Sequence, residues 1–182
     1  LALASGLAWA EIIQALPRVR PVPGRLELLS GAAGGPRGVV DYAHTPDALD
    51  KLLQAVRPFT TGRVILVFGC GGDRDATKRP LMGALAARQA EVVIITDDNP
   101  RTEDPAAIRM AIAAACPGAI LVADRADAIA HAVALAAPAD LVVVAGKGHE
   151  TYQIVGKTKQ PFSDQAVLRQ ALGVPQTDPQ KA

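Results

Sequence analysis

Arg63-Val64-Ile65-Leu66-Val67-Phe68 is an unbroken apolar run behind one arginine, and Glu91 to Thr96 (EVVIIT) and Asp140 to Ala145 (DLVVVA) share its form. Runs of this length, rich in β-branched residues, are the pattern of strands buried on both faces. Val39-Val40-Asp41-Tyr42 and Ala119 to Val122 read as two shorter strands. Between them the period changes. Leu49, Leu52, Leu53 and Val56 recur at helical spacing in the segment from Pro46 to Val56. Pro80 to Ala90, Pro105 to Ala115 behind a capping Asp104, and Ala126 to Ala136 also read as helices, two of them opened by proline in the first turn. Alternating buried strands and helices predict an α/β, Rossmann-like fold. Its sheet is mainly parallel, with helices on both faces.

The two ends of the chain break this alternation. Tyr152 to Phe162 (YQIVGKTKQPF) has a polar centre at Gly156-Lys157 and predicts a carboxy-terminal antiparallel excursion, followed by a helix from Ser163 to about Leu172. Trp9 to Leu16 forms one amphipathic helix, and Arg18 to Pro23 an extended linker. A single helix cannot bury its own apolar face. Residues 1–24 are therefore expected to be the end of a preceding domain, 25–172 the main domain, and 173–182 a polar tail.

Ligands of open parallel sheets bind beyond the carboxy ends of the strands. Four unusual segments fall there: Asp41 to Pro46 (DYAHTP), Gly69 to Asp75 (GCGGDRD), Asp97 to Arg101 (DDNPR) and Gly146 to Glu150 (GKGHE). Their recurrence at strand ends points to one site. The glycines allow close backbone approach and offer amide donors. Arg74 stands where a dinucleotide fingerprint needs its third glycine. In Asp98-Asn99-Pro100-Arg101, Asp suits an ammonium, Arg suits a carboxylate through two parallel bonds, Asn takes either role and Pro100 stiffens the turn. Glu150 beside a glycine-rich strand end also suits an ammonium. Gly156-Lys157-Thr158 is not a phosphate loop, because Thr151 occupies the position of its first glycine. His149 reads as a structural hydrogen-bonding residue.

Composition narrows the partners. With 20% charged residues and a net charge of +1, the chain has no concentrated basic face for nucleic acid or a membrane surface. Three histidines without ligand spacing predict no metal site. Cys70 and Cys116 form no C-x-x-C pair, which fits a reducing cytoplasm. No apolar run reaches the roughly 20 residues of a membrane span. The apolar start LALASGLAWA lacks a preceding basic segment and meets Glu11 at once, unlike an export signal. The chain does not begin with Met, as expected of a fragment.

The order of Pro23-Gly24-Arg25, DYAHTPDAL at 41–49, GCGGDRD at 69–75 with Lys78-Arg79-Pro80, DDNPR at 97–101, and GKGHE at 146–150 with Tyr152-Gln153 resembles the Mur ligase family over roughly residues 6–172. The likeness is to the branch that adds meso-diaminopimelate to UDP-N-acetylmuramoyl-dipeptide. It implies a carboxy-terminal domain of a three-domain, cytoplasmic, ATP-dependent amide ligase of peptidoglycan precursor synthesis, here a monomer. ATP and Mg²⁺ would be held mainly by a central domain outside this chain, along with all catalytic residues. By motif position, the resemblance assigns Arg74, Asp98, Asn99, Pro100, Arg101, Gly146 and Glu150 to meso-diaminopimelate, and Arg25, Asp41 and His44 to the ATP side. A lysine-adding ligase and a non-catalytic nucleotide- or amino-acid-binding module are the alternatives. Arg101 weighs against lysine, which has no second carboxylate to grip.

Overall fold

The computed structural model describes residues 6–19, 22–31 and 34–174. Six strands form one sheet in the order β1-β2-β6-β3-β4-β5: β1 Glu27–Ser30, β2 Arg37–Asp41, β3 Val64–Phe68, β4 Val92–Ile95, β5 Ile120–Leu121 and β6 Leu141–Ala145. All neighbours are parallel except β1, which runs antiparallel to β2 at the edge. A separate antiparallel pair, β7 Tyr152–Val155 and β8 Thr158–Pro161, turns at Gly156 and is the expected excursion. The helices are α1 Trp9–Ala15, α2 Pro46–Val56, α3 Lys78–Gln89, α4 Pro105–Ala113, α5 Arg125–Leu135 and α6 Asp164–Ala171.

The two faces of the sheet bury separate cores. Val64, Leu66 and Phe68 of β3 point to the side covered by Leu49, Leu52, Leu53 and Val56 of α2, Met82 and Ala86 of α3, and Ile108 and Ile112 of α4. Ile65 and Val67 point to the other side, against Ala128, Ile129 and Ala132 of α5 and Leu168 of α6. This alternation explains the unbroken apolar runs, since every residue of β3 and β6 is buried. Side-chain caps start four helices: Thr45, Asp104, Asp124 and Ser163 each accept a backbone N–H of the first turn.

Several boundaries differ from the sequence reading. The helix expected from Pro80 begins at Lys78, so Pro80 lies third in its first turn, where its missing N–H has no partner to lose. The strand expected over 119–122 shortens to two residues. β1 was not anticipated: its four residues form an edge strand, with only Leu29 buried, so no periodicity marks it. The amino-terminal helix ends at Ala15 and continues as a 3₁₀ turn over Leu16–Arg18. No residue of α1 is buried, and Trp9 is 61% exposed. The tail expected over 173–182 lies outside the described residues from 175 on, while Val174 packs on the α5–α6 core. Among the described residues no helix is long and apolar enough to cross a membrane.

Candidate functional site

Strand register brings the four segments to one level. Asp41 of β2 pairs with Ala145 of β6, Ala145 pairs with Phe68 of β3, and Phe68 pairs with Ile95 of β4. Each strand therefore releases its loop on the same edge of the sheet. The loops enclose a cavity of about 400 Å³ lined by Arg74, Asp98, Asn99, Arg101, Gly146 and Glu150, together with Tyr42, His44, Lys78, Asp75 and Cys70. Six of the seven residues assigned to diaminopimelate thus share one wall. Pro100 is not on that wall but buried beneath it.

The glycine loop and the DDNPR loop touch backbone to backbone. Gly72 N–H donates to Asn99 O at 2.9 Å, and a Cβ on Gly72 would come within 1.9 Å of Pro100 O. Only glycine permits that approach. Arg101 then holds the glycine loop through its side chain, with Nη1 donating to Gly72 O at 2.7 Å. Its backbone is left-handed, at φ 53°. The same residue is zipped to the excursion: Arg101 N–H donates to Ile154 O, and Gly156 N–H donates to Arg101 O. Arg74 extends from the glycine loop with its neighbour's carbonyl, Asp73 O, as its one side-chain hydrogen-bond partner among the described residues. Two guanidiniums therefore face the cavity with donors left to offer an anion.

Asp98 and Glu150 line the same cavity, and between them lies a residue the sequence reading missed. Lys147 is fully buried, with Nζ 2.8 Å from Asn99 Oδ1, 2.9 Å from Tyr152 O, 3.5 Å from Glu150 Oε2 and 3.8 Å from Asp98 Oδ1. Burial pulls its pKa below the ordinary lysine value. Arg125 adds to that pull, while Asp98, Glu150 and Asp164 oppose it. Asn99 completes the group: its Nδ2 donates to Glu150 Oε2 at 3.0 Å, and Ile154 N–H donates to its Oδ1 at 2.9 Å. A second missed cation, Arg125, lies behind the rim, paired with Asp164 and donating to Ala145 O. Neither showed in the sequence, because a lysine between glycines and an arginine at a helix start both read as solvated. The available signal was that GKGHE leaves a wholly buried strand, so its first residues begin inside the core.

The residues assigned to the ATP side gather next to this cavity but use their groups differently. Asp41 receives the N–H of Leu26 on Oδ2 and of Ala43 on Oδ1, so its carboxylate ties the linker to the end of β2. The Arg25 guanidinium lies 4.4 Å over the Tyr42 ring. Tyr42 also meets His44 edge-on at 4.6 Å and His149 at 5.3 Å. His44 lines the cavity, whereas Arg25 and Asp41 do not. Gly24, at φ 65°, packs so tightly on Gly148 that a Cβ there would fall 2.2 Å from Gly148 C. Burial pushes the Cys70 thiol up to about 11, so it is no thiolate nucleophile near neutral pH. Among the described residues no group of three His, Cys, Asp or Glu side chains is placed to hold a metal.

A rim with guanidiniums and carboxylates at one sheet edge can pair with a ligand that carries both signs of charge. The UDP-N-acetylmuramoyl-L-alanyl-D-glutamate–2,6-diaminopimelate ligase of Agrobacterium fabrum is 52% identical over 172 residues, covering 94% of this chain and 35% of that protein. The Synechococcus elongatus protein of the same name is 54% identical over 170 residues, covering 92% and 34%. The chain thus spans about a third of the length of these relatives. A solved structure of a ligase of that name superposes with a TM-score of 0.79 at 38% identity, over 94% of this chain and 36% of that one. Folylpolyglutamate synthase from Thermotoga maritima shares the fold, with a TM-score of 0.58 at 22% identity over 77% and 31%. The family model for the Mur ligase, glutamate ligase domain matches residues 24–148, and the chain belongs to the Mur ligase family.

Proposed function

We propose that this chain is the carboxy-terminal, amino-acid-binding domain of an ATP-dependent ligase that joins meso-diaminopimelate to UDP-N-acetylmuramoyl-L-alanyl-D-glutamate. The observation that carries the reading is the mixed-sign lining: Arg74 and Arg101 line one cavity together with Asp98 and Glu150. An acceptor with two ammonium and two carboxylate groups needs both signs at fixed separation. On this reading, Arg101 and Arg74 receive the carboxylate at the far stereocentre, and Asp98 or Glu150 holds the ammonium beside it. Asn99 and Gly146 shape the wall, and Pro100 stiffens it from below. This leaves the other amine free to attack an acyl phosphate formed elsewhere in the enzyme.

Residues 1–24 would then be the end of a central ATPase domain, with the exposed apolar side of α1 covered by the rest of that domain. ATP and Mg²⁺ belong to that domain, approached from this side by Arg25, Asp41 and His44. The setting is a cytoplasmic monomer without nucleic-acid or membrane partners.

Two measurements test the proposal. Titration of the 182-residue chain with meso-diaminopimelate and with lysine, followed by backbone amide NMR, should perturb residues 97–101 and 146–150 with the former and far less with the latter. Incubated with ATP, magnesium, UDP-N-acetylmuramoyl-dipeptide and diaminopimelate, the same chain should release no phosphate above blank. Equal response to lysine would favour the lysine-adding alternative, and robust turnover would overturn the division of labour between domains.

A further inference from the structure

We propose that Lys147 is the positioning residue of the acceptor site: its buried ammonium fixes the Asn99 amide and, through it, aims the Glu150 carboxylate at the ligand. The inference rests on the amino-acid-binding reading above and names a residue that does not itself touch the ligand.

The argument is one of hydrogen-bond polarity. An ammonium only donates, so whatever meets Lys147 Nζ at 2.8 Å must accept. Asn99 therefore turns Oδ1 toward it, and Ile154 N–H, a second donor on the same oxygen at 2.9 Å, demands the same orientation. With Oδ1 fixed, Asn99 Nδ2 can only face Glu150, to which it donates at 3.0 Å. Glu150 Oε2 is thereby engaged by Asn99 Nδ2 and lies 3.5 Å from Lys147 Nζ. Its other oxygen, Oε1, accepts no hydrogen bond among the described residues and is left to a ligand ammonium. Lys147 thus joins two of the segments that build the wall, the loop after β4 and its own loop after β6, to the start of β7 through Tyr152 O.

Location supports this role over simple core packing. A fully buried ammonium is costly to desolvate and is a poor way to stabilise a fold. Here it lies directly behind the cavity wall, and every group it meets except the Tyr152 carbonyl lines the cavity. Functional sites need such supporting contacts to hold their reacting groups in place.

The test uses the full-length ligase with Lys147→Met, which keeps the length of the side chain and removes the donor. The KM for diaminopimelate should rise roughly ten- to a hundred-fold, with the KM for ATP and the melting temperature little changed. A merely structural role would lower the active fraction and leave that KM alone. A double-mutant cycle locates the effect: if Lys147 acts through Glu150, Lys147→Met should add little to the loss caused by Glu150→Gln. Additive losses, or an unchanged KM for diaminopimelate, would overturn the proposal. Lys147→Leu, which also removes the donor toward Asn99 Oδ1, is read the same way if the Met variant does not fold. Failure of both to fold assigns Lys147 to the core and also overturns it. A wild-type enzyme that did not use diaminopimelate would instead refute the functional reading, which the wild-type control detects separately.

Discussion

Arg125 and Asp164 form an ion pair with no solvent exposure on either side chain, at 2.7 and 2.8 Å through Nε and Nη2. The pair stands at the first turn of α5 and of α6, and the same guanidinium donates to Ala145 O at 3.0 Å, where β6 hands over to GKGHE. It therefore ties two helices to the sheet edge that carries the site. Burial works against the charge on Arg125, but Asp164 overcomes it and holds the guanidinium above its ordinary pKa.

Breaking this pair from one side should be far worse than replacing it whole. Arg125→Met leaves the Asp164 carboxylate buried without its partner, a defect worth about 3–5 kcal/mol. Adding Asp164→Leu should recover much of that loss, since a well-packed apolar pair needs no compensation. Urea unfolding of the two single variants and the double variant measures the coupling. Purely additive losses would show that the pair is not the unit described here.

A second carboxylate makes stability depend on pH. Asp140 accepts from Arg63 N–H at 2.7 Å and Ala137 N–H at 2.9 Å, and from the Arg63 side chain at 2.7 and 3.0 Å. Burial pushes its pKa up, but the bonds from Arg63 and Ala137 win and hold it below the usual 3.8. A carboxylate with a depressed folded pKa contributes stability above its unfolded value, and loses it as pH falls through the folded one. Asp140→Ala should cost about 1–2 kcal/mol near pH 7, mostly from the two backbone amides, because the half-exposed Arg63 side chain is screened by solvent. The difference from wild type should shrink as pH falls below 3.8. Urea midpoints across that range check it, and a penalty independent of pH would assign the effect to packing.

Adjacent glycines in the loop after β3 should fail in different ways. A Cβ on Gly72 would meet the Pro100 carbonyl at 1.9 Å, and backbone cannot step aside cheaply. A Cβ on Gly71 would meet only Arg101 Nη1 at 2.9 Å, the far end of a flexible side chain. Gly72→Ala should therefore destabilise the fold by about 1–3 kcal/mol. Gly71→Ala should leave the melting temperature near wild type and weaken diaminopimelate binding by displacing the guanidinium. Calorimetric melting and ligand titration on both variants separate the two. Equal melting temperatures for the pair would contradict the close approach.

The sheet was legible because burial on both faces writes itself into composition: RVILVF and DLVVVA admit few other readings. β1 was not, since a four-residue edge strand with one buried side chain carries no period. The rim was legible through its loop chemistry at strand ends, which placed Arg74, Asp98, Asn99, Arg101, Gly146 and Glu150 beside one another before any coordinates. Its internal wiring was not. Lys147 reaches Asn99 across 48 residues and Arg125 reaches Asp164 across 39, and no local pattern announces a partner so far away. Asp41 shows the same limit from the other side: a carboxylate at a strand end looks free in sequence, while its oxygens hold the amides of Leu26 and Ala43.

On the proposed function, Arg101 is where conformational strain and acceptor choice coincide. Its φ of 53° is left-handed, a conformation that costs a residue with a Cβ roughly 1–2 kcal/mol. Asparagine or glycine would sit there more easily, so the arginine is kept for its side chain. One arm of that side chain is spent on Gly72 O, and the remaining donors face the cavity. Lysine has the length and distal amine of diaminopimelate but no carboxylate there. Its binding would leave the remaining guanidinium donors desolvated and unpaired, and charged hydrogen bonds of this kind are worth about 1.5–3 kcal/mol each. A site built to pair a polar group rejects an analogue that lacks it far more strongly than an apolar pocket rejects a missing methylene. In the full-length ligase, Arg101→Ala should cut kcat/KM for diaminopimelate severely and narrow its advantage over lysine. Arg101→Lys should rescue little, because a point charge cannot bridge Gly72 O and a carboxylate as a planar fork does. Arg101→Gly should share the kinetic defect yet melt higher than Arg101→Ala, having shed the left-handed strain. An Arg101→Ala enzyme that kept the wild-type ratio of the two acceptors would show that the choice is made at another residue.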